Sequence, residues 1–230
     1  MYRQLDDDRI IETLQLLRDR ITERFPGSSL SRVSEELLNV ARESASHVAY
    51  LATPNWSVRV SVGAAIVVML AVLAAAASQI NLGTGVGGWP EFVQAVDSAI
   101  NDVVFIGIAI FFLVTIETRL KRRRALGVLH QLRSIAHVVD MHQLTKDPEQ
   151  LVSHPPPTMS SPARTMTRPE LGRYLDYCSE LLSLTSKIAA LFVERFDDPV
   201  TLGAVNEIES LTAGLSRKIW QKISMLNAAV

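Results

Sequence analysis

Apolar residues follow two patterns along this chain, one continuous and one periodic. Residues 60–80 read VSVGAAIVVMLAVLAAAASQI without a charged residue, and a helix of about 20 apolar residues is long enough to cross a bilayer. Residues 103–116, VVFIGIAIFFLVTI, form a shorter uncharged run whose flanks are compatible with a helix. The pattern predicts two membrane-spanning helices, the second from about Ser98 to about Thr118.

Outside these runs, apolar residues recur every three or four positions, which is typical of amphipathic helices. Two such helices precede the first span and are separated by Pro26 and Gly27. The same spacing continues beyond the second span to about Leu144, so we expect that span to extend as a stalk helix. The predicted inward positions are Ile10, Leu14, Leu17, Ile21 and Phe25, then Leu30, Val33, Leu37, Ala41, Ala45 and Val48, and on the stalk Leu129, Leu132, Ile135, Ala136 and Val139.

Two further amphipathic helices follow a linker that contains three consecutive prolines. Thr167 and Glu170 have capping-box spacing and open the first of them. Asp198 and Pro199 open the second after a short turn, which predicts antiparallel neighbours. The predicted inward positions are Leu171, Leu175, Cys178, Leu182, Ile188 and Phe192, then Leu202, Val205, Ile208, Leu215, Ile219, Ile223 and Leu226.

The predicted fold class is all-α, because no segment alternates polar and apolar residues over the length of a strand. We expect a two-span transmembrane helical hairpin with a cytoplasmic helical bundle built from the N- and C-terminal segments. Five regions are predicted: 1–55, a helical pair; 56–119, the hairpin with a short Gly-rich outer loop; 120–147, the stalk; 148–168, the Pro/Ser-rich linker; and 169–230, the C-terminal helical pair.

Charge sets the expected orientation. The chain has 23 Lys and Arg against 24 Asp and Glu and a mean hydropathy of +0.18, yet no Lys or Arg lies between Arg59 and Arg119. The positive-inside rule then places both termini in the cytoplasm and predicts a multi-pass protein of the inner (plasma) membrane. The basic cluster after the second span is expected to contact lipid headgroups: Arg119, Lys121, Arg122, Arg123 and Arg124.

One face of the stalk carries polar side chains spaced three, four and three residues apart: His130, Arg133, His137 and Asp140. This stripe is either a ligand or partner surface or a solvated face. The two histidines lie two turns apart, about 10.5 Å along the axis, so one ion cannot bind both. No metal site is predicted.

Catalysis and cofactors are not expected, because no established catalytic motif is present and Cys178 lies on an apolar helix face. Arg42 and His47 have an Arg-x4-His spacing that resembles the motif of the HEPN ribonucleases, which would imply RNA cleavage. Arg124 and His130 fit a looser form of the same spacing. The resemblance covers these residues alone.

The sequence favours a membrane scaffold, sensor or adaptor that acts through cytoplasmic helical interactions and self-association. The expected partners are the lipid bilayer, further copies of the chain and a cytoplasmic protein, and the near-neutral charge argues against nucleic acid. Small residues spaced four apart in the first span, such as Ala71 and Ala75, favour close helix approach. The alternative is a small oligomeric ion channel or membrane-disrupting effector, gated by its cytoplasmic helices, with Asn101 and Asp102 at the pore mouth.

Overall fold

The computed structural model describes residues 4–78, 89–146, 148, 159 and 166–228, and within them all regular structure is helical. This confirms the all-α prediction. Residues 81–88 of the Gly-rich loop and most of the Pro/Ser-rich linker lie outside the described residues. The helices are α1 Asp7–Arg24, α2 Ser29–Ala52, α3 Trp56–Ser78, α4 Trp89–Leu144, α5 Arg168–Arg195 and α6 Pro199–Ala228.

The chain forms two units. Met1–Thr53 and Arg122–Val230 form the first, called here the core unit, and Pro54–Lys121 forms the second, called the apolar unit. Helix α4 contributes to both, because it runs for 56 residues without interruption. It begins at Trp89, before the predicted second span, and the stalk is continuous with the second apolar segment.

Helices α1 and α2 begin and end where the local sequence indicates. The Asp6 carboxylate accepts a hydrogen bond from the Arg9 N–H at 3.2 Å, and the Ser28 hydroxyl accepts one from the Ser31 N–H at 3.1 Å. Both side chains satisfy N–H groups that the first helical turn leaves unpaired. Between the helices Gly27 has φ +69°, a conformation that costs glycine little.

Contacts between side chains fix the directions of the helices in the core unit. Helices α1 and α2 are antiparallel, since Arg18 pairs with Glu35 at 2.9 Å and Thr22 contacts Ser31 at 2.9 Å. Helix α5 runs antiparallel to α1. Its Glu180 pairs with Arg20 near the end of α1, while Glu194 accepts from the Leu5 N–H before α1 begins. Helices α2 and α5 therefore run parallel to each other, and both are antiparallel to α1.

Helices α5 and α6 pack against each other, as the short turn predicts. The predicted capping box at Thr167 is present: the Glu170 carboxylate accepts from the Thr167 N–H at 2.7 Å. Asp198 caps α6 by accepting from the Thr201 N–H at 2.9 Å. Both helix starts were predicted correctly because capping depends on residues three positions apart.

The second part of α4 supplies the remaining wall of the core. Its predicted inward residues are all buried, and together with residues of α1, α2, α5 and α6 they form one hydrophobic cluster. Helix α6 runs parallel to α4, since Arg122, Arg133 and Gln143 meet successively later residues of α6. The buried apolar residues of α4 are Ala125, Val128, Leu129, Leu132, Ile135, Ala136 and Val139.

The prediction that Leu202 points inward from α6 is wrong, because its side chain is exposed. Thr201 is buried in its place, and its hydroxyl contacts the Asp198 carboxylate at 3.0 Å. Successive residues of a helix point about 100° apart, so burial of Thr201 turns Leu202 outward. The periodic pattern missed this because the N-cap of α6 is itself a buried polar group.

Candidate functional site

Two helices, α3 and the first part of α4, are long and apolar enough to cross a membrane, and no part of either apolar window is buried in the protein. Soluble proteins rarely expose contiguous apolar surface on this scale. The exposed large apolar side chains are Trp56, Val60, Val67, Val68, Leu70 and Val72 on α3, and Val93, Ile100, Val103, Val104, Phe105, Ile108, Phe111, Phe112 and Val114 on the first part of α4.

A charged cluster around Glu117 joins α3 to α4 within the apolar unit. The Glu117 carboxylate accepts from the Asn55 N–H at 3.0 Å and from Arg59 Nε at 2.7 Å, and Lys121 Nζ lies 3.1 Å away. Asn55 in turn accepts from the Ser57 hydroxyl at the start of α3. A carboxylate at the edge of an apolar segment is costly unless it is paired, and here one acid is shared by two bases.

The basic cluster divides into residues with different environments. Arg122 forms a two-pronged contact with Asp198, with Nη2 2.6 Å from Oδ1, and Lys121 is buried beside Glu117. Arg119 lies over the Phe112 ring and Arg124 over the Tyr50 ring, each at 4.3 Å. Arg123 is exposed, so the five predicted headgroup contacts are not equally placed to reach lipid.

The predicted stripe on α4 lies mostly at the surface. His130, Arg133 and His137 are exposed, and Asp140 is partly buried. Arg133 pairs with Glu207 of α6 at 2.9 Å. Asp140 accepts from the amide of Gln143 at 2.6 Å. The structure therefore does not bring the four side chains together around one point.

A groove of about 440 Å³ between α2 and α4 takes in one end of this stripe. Its floor contains Val40 and Ile135, which are buried. Its rim carries two carboxylates on α2 and polar side chains on α4, and no Lys or Arg lines it. The lining residues are Glu36, Asn39, Val40, Glu43, His130, Gln131, Ser134 and Ile135.

A partly buried polar cluster at the end of α4 was not predicted from the sequence. Lys222 Nζ of α6 donates to the carbonyls of Gln143 at 2.7 Å and Lys146 at 3.3 Å, and so places a positive charge where the helix dipole favours one. Burial raises the pKa of Tyr174 and of Cys178 to about 12. The sequence signal for this cluster is Lys222, which lies next to Ile223, a predicted inward position of α6.

Other candidate residues lie apart. Arg42 is exposed on α2, and His47 contacts Glu43 at 3.4 Å, both on one helix. Asn101 is exposed on α4, whereas the side chain of Asp102 lies outside the described residues. Asp6, Asp7 and Asp8 form an acidic group at the start of α1. The helix dipole stabilises negative charge at this end of a helix.

No protein-family model matches this chain, and neither a curated protein nor a solved structure does.

Proposed function

We propose that this protein is an integral membrane adaptor: α3 and the first part of α4 anchor it, and its core unit binds a protein partner in the cytoplasm and associates with further copies. The observation that carries the proposal is the division of α4. Its first part exposes uncharged apolar side chains, while its second part buries its apolar face in a packed core. One continuous helix thus joins surfaces suited to lipid and to protein.

Charge supports a cytoplasmic core unit. The basic residues flank the apolar segments on the side of the chain that leads into the core unit, and a surplus of Lys and Arg is typical of cytoplasmic flanks. Among the headgroup contacts proposed here, Arg119, Arg123 and Arg124 are the exposed members of the cluster. Each such residue near an anionic surface contributes about 1 kcal/mol of attraction.

A small oligomeric channel is the second candidate, and one observation favours it. Asn101 is an exposed polar residue of α4, close to exposed apolar side chains such as Ile100 and Val104. An amide that faces lipid loses hydrogen bonds, so contact with another copy or with water would stabilise it. In a ring of copies Asn101 and Asp102 would then line the mouth of a pore.

Ion flux through vesicles separates the two candidates. The full chain, reconstituted in phosphatidylcholine vesicles with a fifth of phosphatidylglycerol, is expected to release K⁺ no faster than protein-free vesicles. Chemical cross-linking in the same vesicles is expected to give dimers or larger species. If the protein releases K⁺ and Asn101→Leu abolishes this release, the channel proposal is supported and the adaptor proposal is contradicted. If cross-linking shows only monomers, the proposed self-association is contradicted.

A further inference from the structure

The groove between α2 and α4 is lined by two carboxylates and by no Lys or Arg. Glu36 has no ion-pair partner among the described residues, and the Glu43 carboxylate lies 3.4 Å from the imidazole of His47. The neighbouring Glu35 differs, because it pairs with Arg18 at 2.9 Å. The two groove carboxylates therefore stand beside a concave surface that contains no Lys or Arg.

The geometry of the groove defines what fits it. Glu36 and Glu43 are seven residues apart on α2, which is two helical turns and about 10.5 Å along the axis. Between them the floor is closed by Val40 of α2 and Ile135 of α4. Arginine and lysine lay an aliphatic stem on apolar surface while the charged head reaches polar groups. Two such side chains, one at each carboxylate, match the floor and the rim.

We propose that this groove binds a helix of a partner protein that presents two cationic side chains seven residues apart. The same spacing on two helices lying side by side places both cations opposite both carboxylates. Arginine suits the site best, because its planar head binds a carboxylate through two hydrogen bonds. Asn39, Gln131 and Ser134 supply further polar contacts at the rim. This inference rests on the proposed adaptor function and names the chemistry of its partner.

Binding of a designed peptide tests the proposal with the full chain in phosphatidylcholine nanodiscs, whose neutral lipid does not attract cations. The probe is a fluorescent alanine-rich helix with two arginines seven residues apart, and the matched probe has the same composition with the arginines five apart. We expect the first peptide to bind at least tenfold more tightly. The double variant Glu36→Gln/Glu43→Gln should bind the two peptides with equal affinity.

A control pair distinguishes the groove from general attraction of positive charge. Glu207→Gln with Glu209→Gln removes two carboxylates from the exposed face of α6, and it should leave peptide affinity within about twofold. Equal loss in both double variants, or equal binding of both peptides, overturns the inference. Dissociation of an oligomer by the groove variants without peptide binding also overturns it, because the occupant would then be a second copy. None of these three results bears on the vesicle experiment, so the adaptor proposal is judged separately.

Discussion

Replacing Asp198 with alanine is expected to lower the free energy of unfolding of the core unit by about 2 to 4 kcal/mol. The carboxylate is only 2% exposed and has two roles. It caps α6 through the Thr201 N–H and pairs with Arg122 of α4 at 2.6 Å. Alanine removes the cap, worth about 1 kcal/mol, together with the charged hydrogen bonds that tie α6 to α4.

Two variants separate these roles. Asp198→Asn keeps a cap acceptor but loses the charge, so its effect should be about half that of alanine. Glu207→Ala breaks another α4–α6 pair of similar length, 2.9 Å, whose side chains are 50% and 65% exposed. Exposed ion pairs contribute about 0 to 1 kcal/mol, and we expect that range here. An Asp198→Ala effect no larger than that of Glu207→Ala would contradict the buried-pair account.

Cys178 provides the readout for these variants. It is the only cysteine of the chain and is fully buried, and burial raises the pKa of its thiol to about 12. Because the thiolate is the reactive form, the folded protein should react slowly with thiol reagents. Labelling of Cys178 during a urea titration in detergent therefore reports unfolding of the core unit.

The stability that Asp198 provides should depend on pH. Burial, the largest single influence, raises the pKa of Asp198, but hydrogen bonds from Arg122 and Thr201 outweigh it and leave the pKa below its ordinary value. A carboxyl with a lowered folded-state pKa stabilises the fold above its unfolded pKa of about 3.9. This contribution is lost as the pH falls through the folded-state pKa. Wild type and Asp198→Ala should therefore converge in stability in acid.

Features that depend on nearby residues could be predicted from the sequence. The caps at Thr167 and Asp198 form as predicted, because each cap joins residues three positions apart, and Asp6 and Ser28 cap their helices through the same spacing. The buried faces of α1, α2 and α5 also follow the helical period, since their inward positions bury almost without exception. Local spacing is therefore sufficient to predict which residues are buried wherever one face of a helix packs against a common core.

Features that depend on packing could not be predicted. The basic run that contains Arg122 predicts contact with lipid headgroups, but it gives no sign of the pairing with Asp198, which lies 76 residues away in the chain. Lys222 reaches the end of α4 across a similar separation. The groove combines Glu36 and Glu43 of α2 with His130 of α4, and of its polar residues only His130 belongs to the stripe that the sequence predicts. Side-chain pairing between distant helices leaves no periodic signal.

Placing an arginine in the apolar part of α4 is expected to prevent stable insertion. Ile108 lies at the centre of the predicted second span and is 54% exposed. Arginine at the middle of a spanning helix costs about 2.5 to 3.5 kcal/mol on the insertion scale. Ile108→Arg should therefore move most of the protein from the carbonate-washed membrane pellet to the soluble or degraded fraction.

Met141→Arg is the matched control for this variant. Met141 belongs to the same helix and is 67% exposed, but it lies in the core unit. An exposed substitution there should change stability by less than about 0.5 kcal/mol, so the variant should remain in the pellet. Equal behaviour of the two variants would contradict the assignment of the first part of α4 to the bilayer.

Thiol labelling from outside the cell determines the orientation of the hairpin and so tests whether the core unit is cytoplasmic. In a Cys178→Ser background, single cysteines are placed at Thr84, in the Gly-rich loop, and at Asn206, an exposed residue of α6. We predict that a membrane-impermeant thiol reagent labels Thr84→Cys in intact cells and labels Asn206→Cys only after the cells are lysed. Labelling of Asn206→Cys in intact cells, or of neither site before lysis, would contradict a two-span protein with a cytoplasmic core unit.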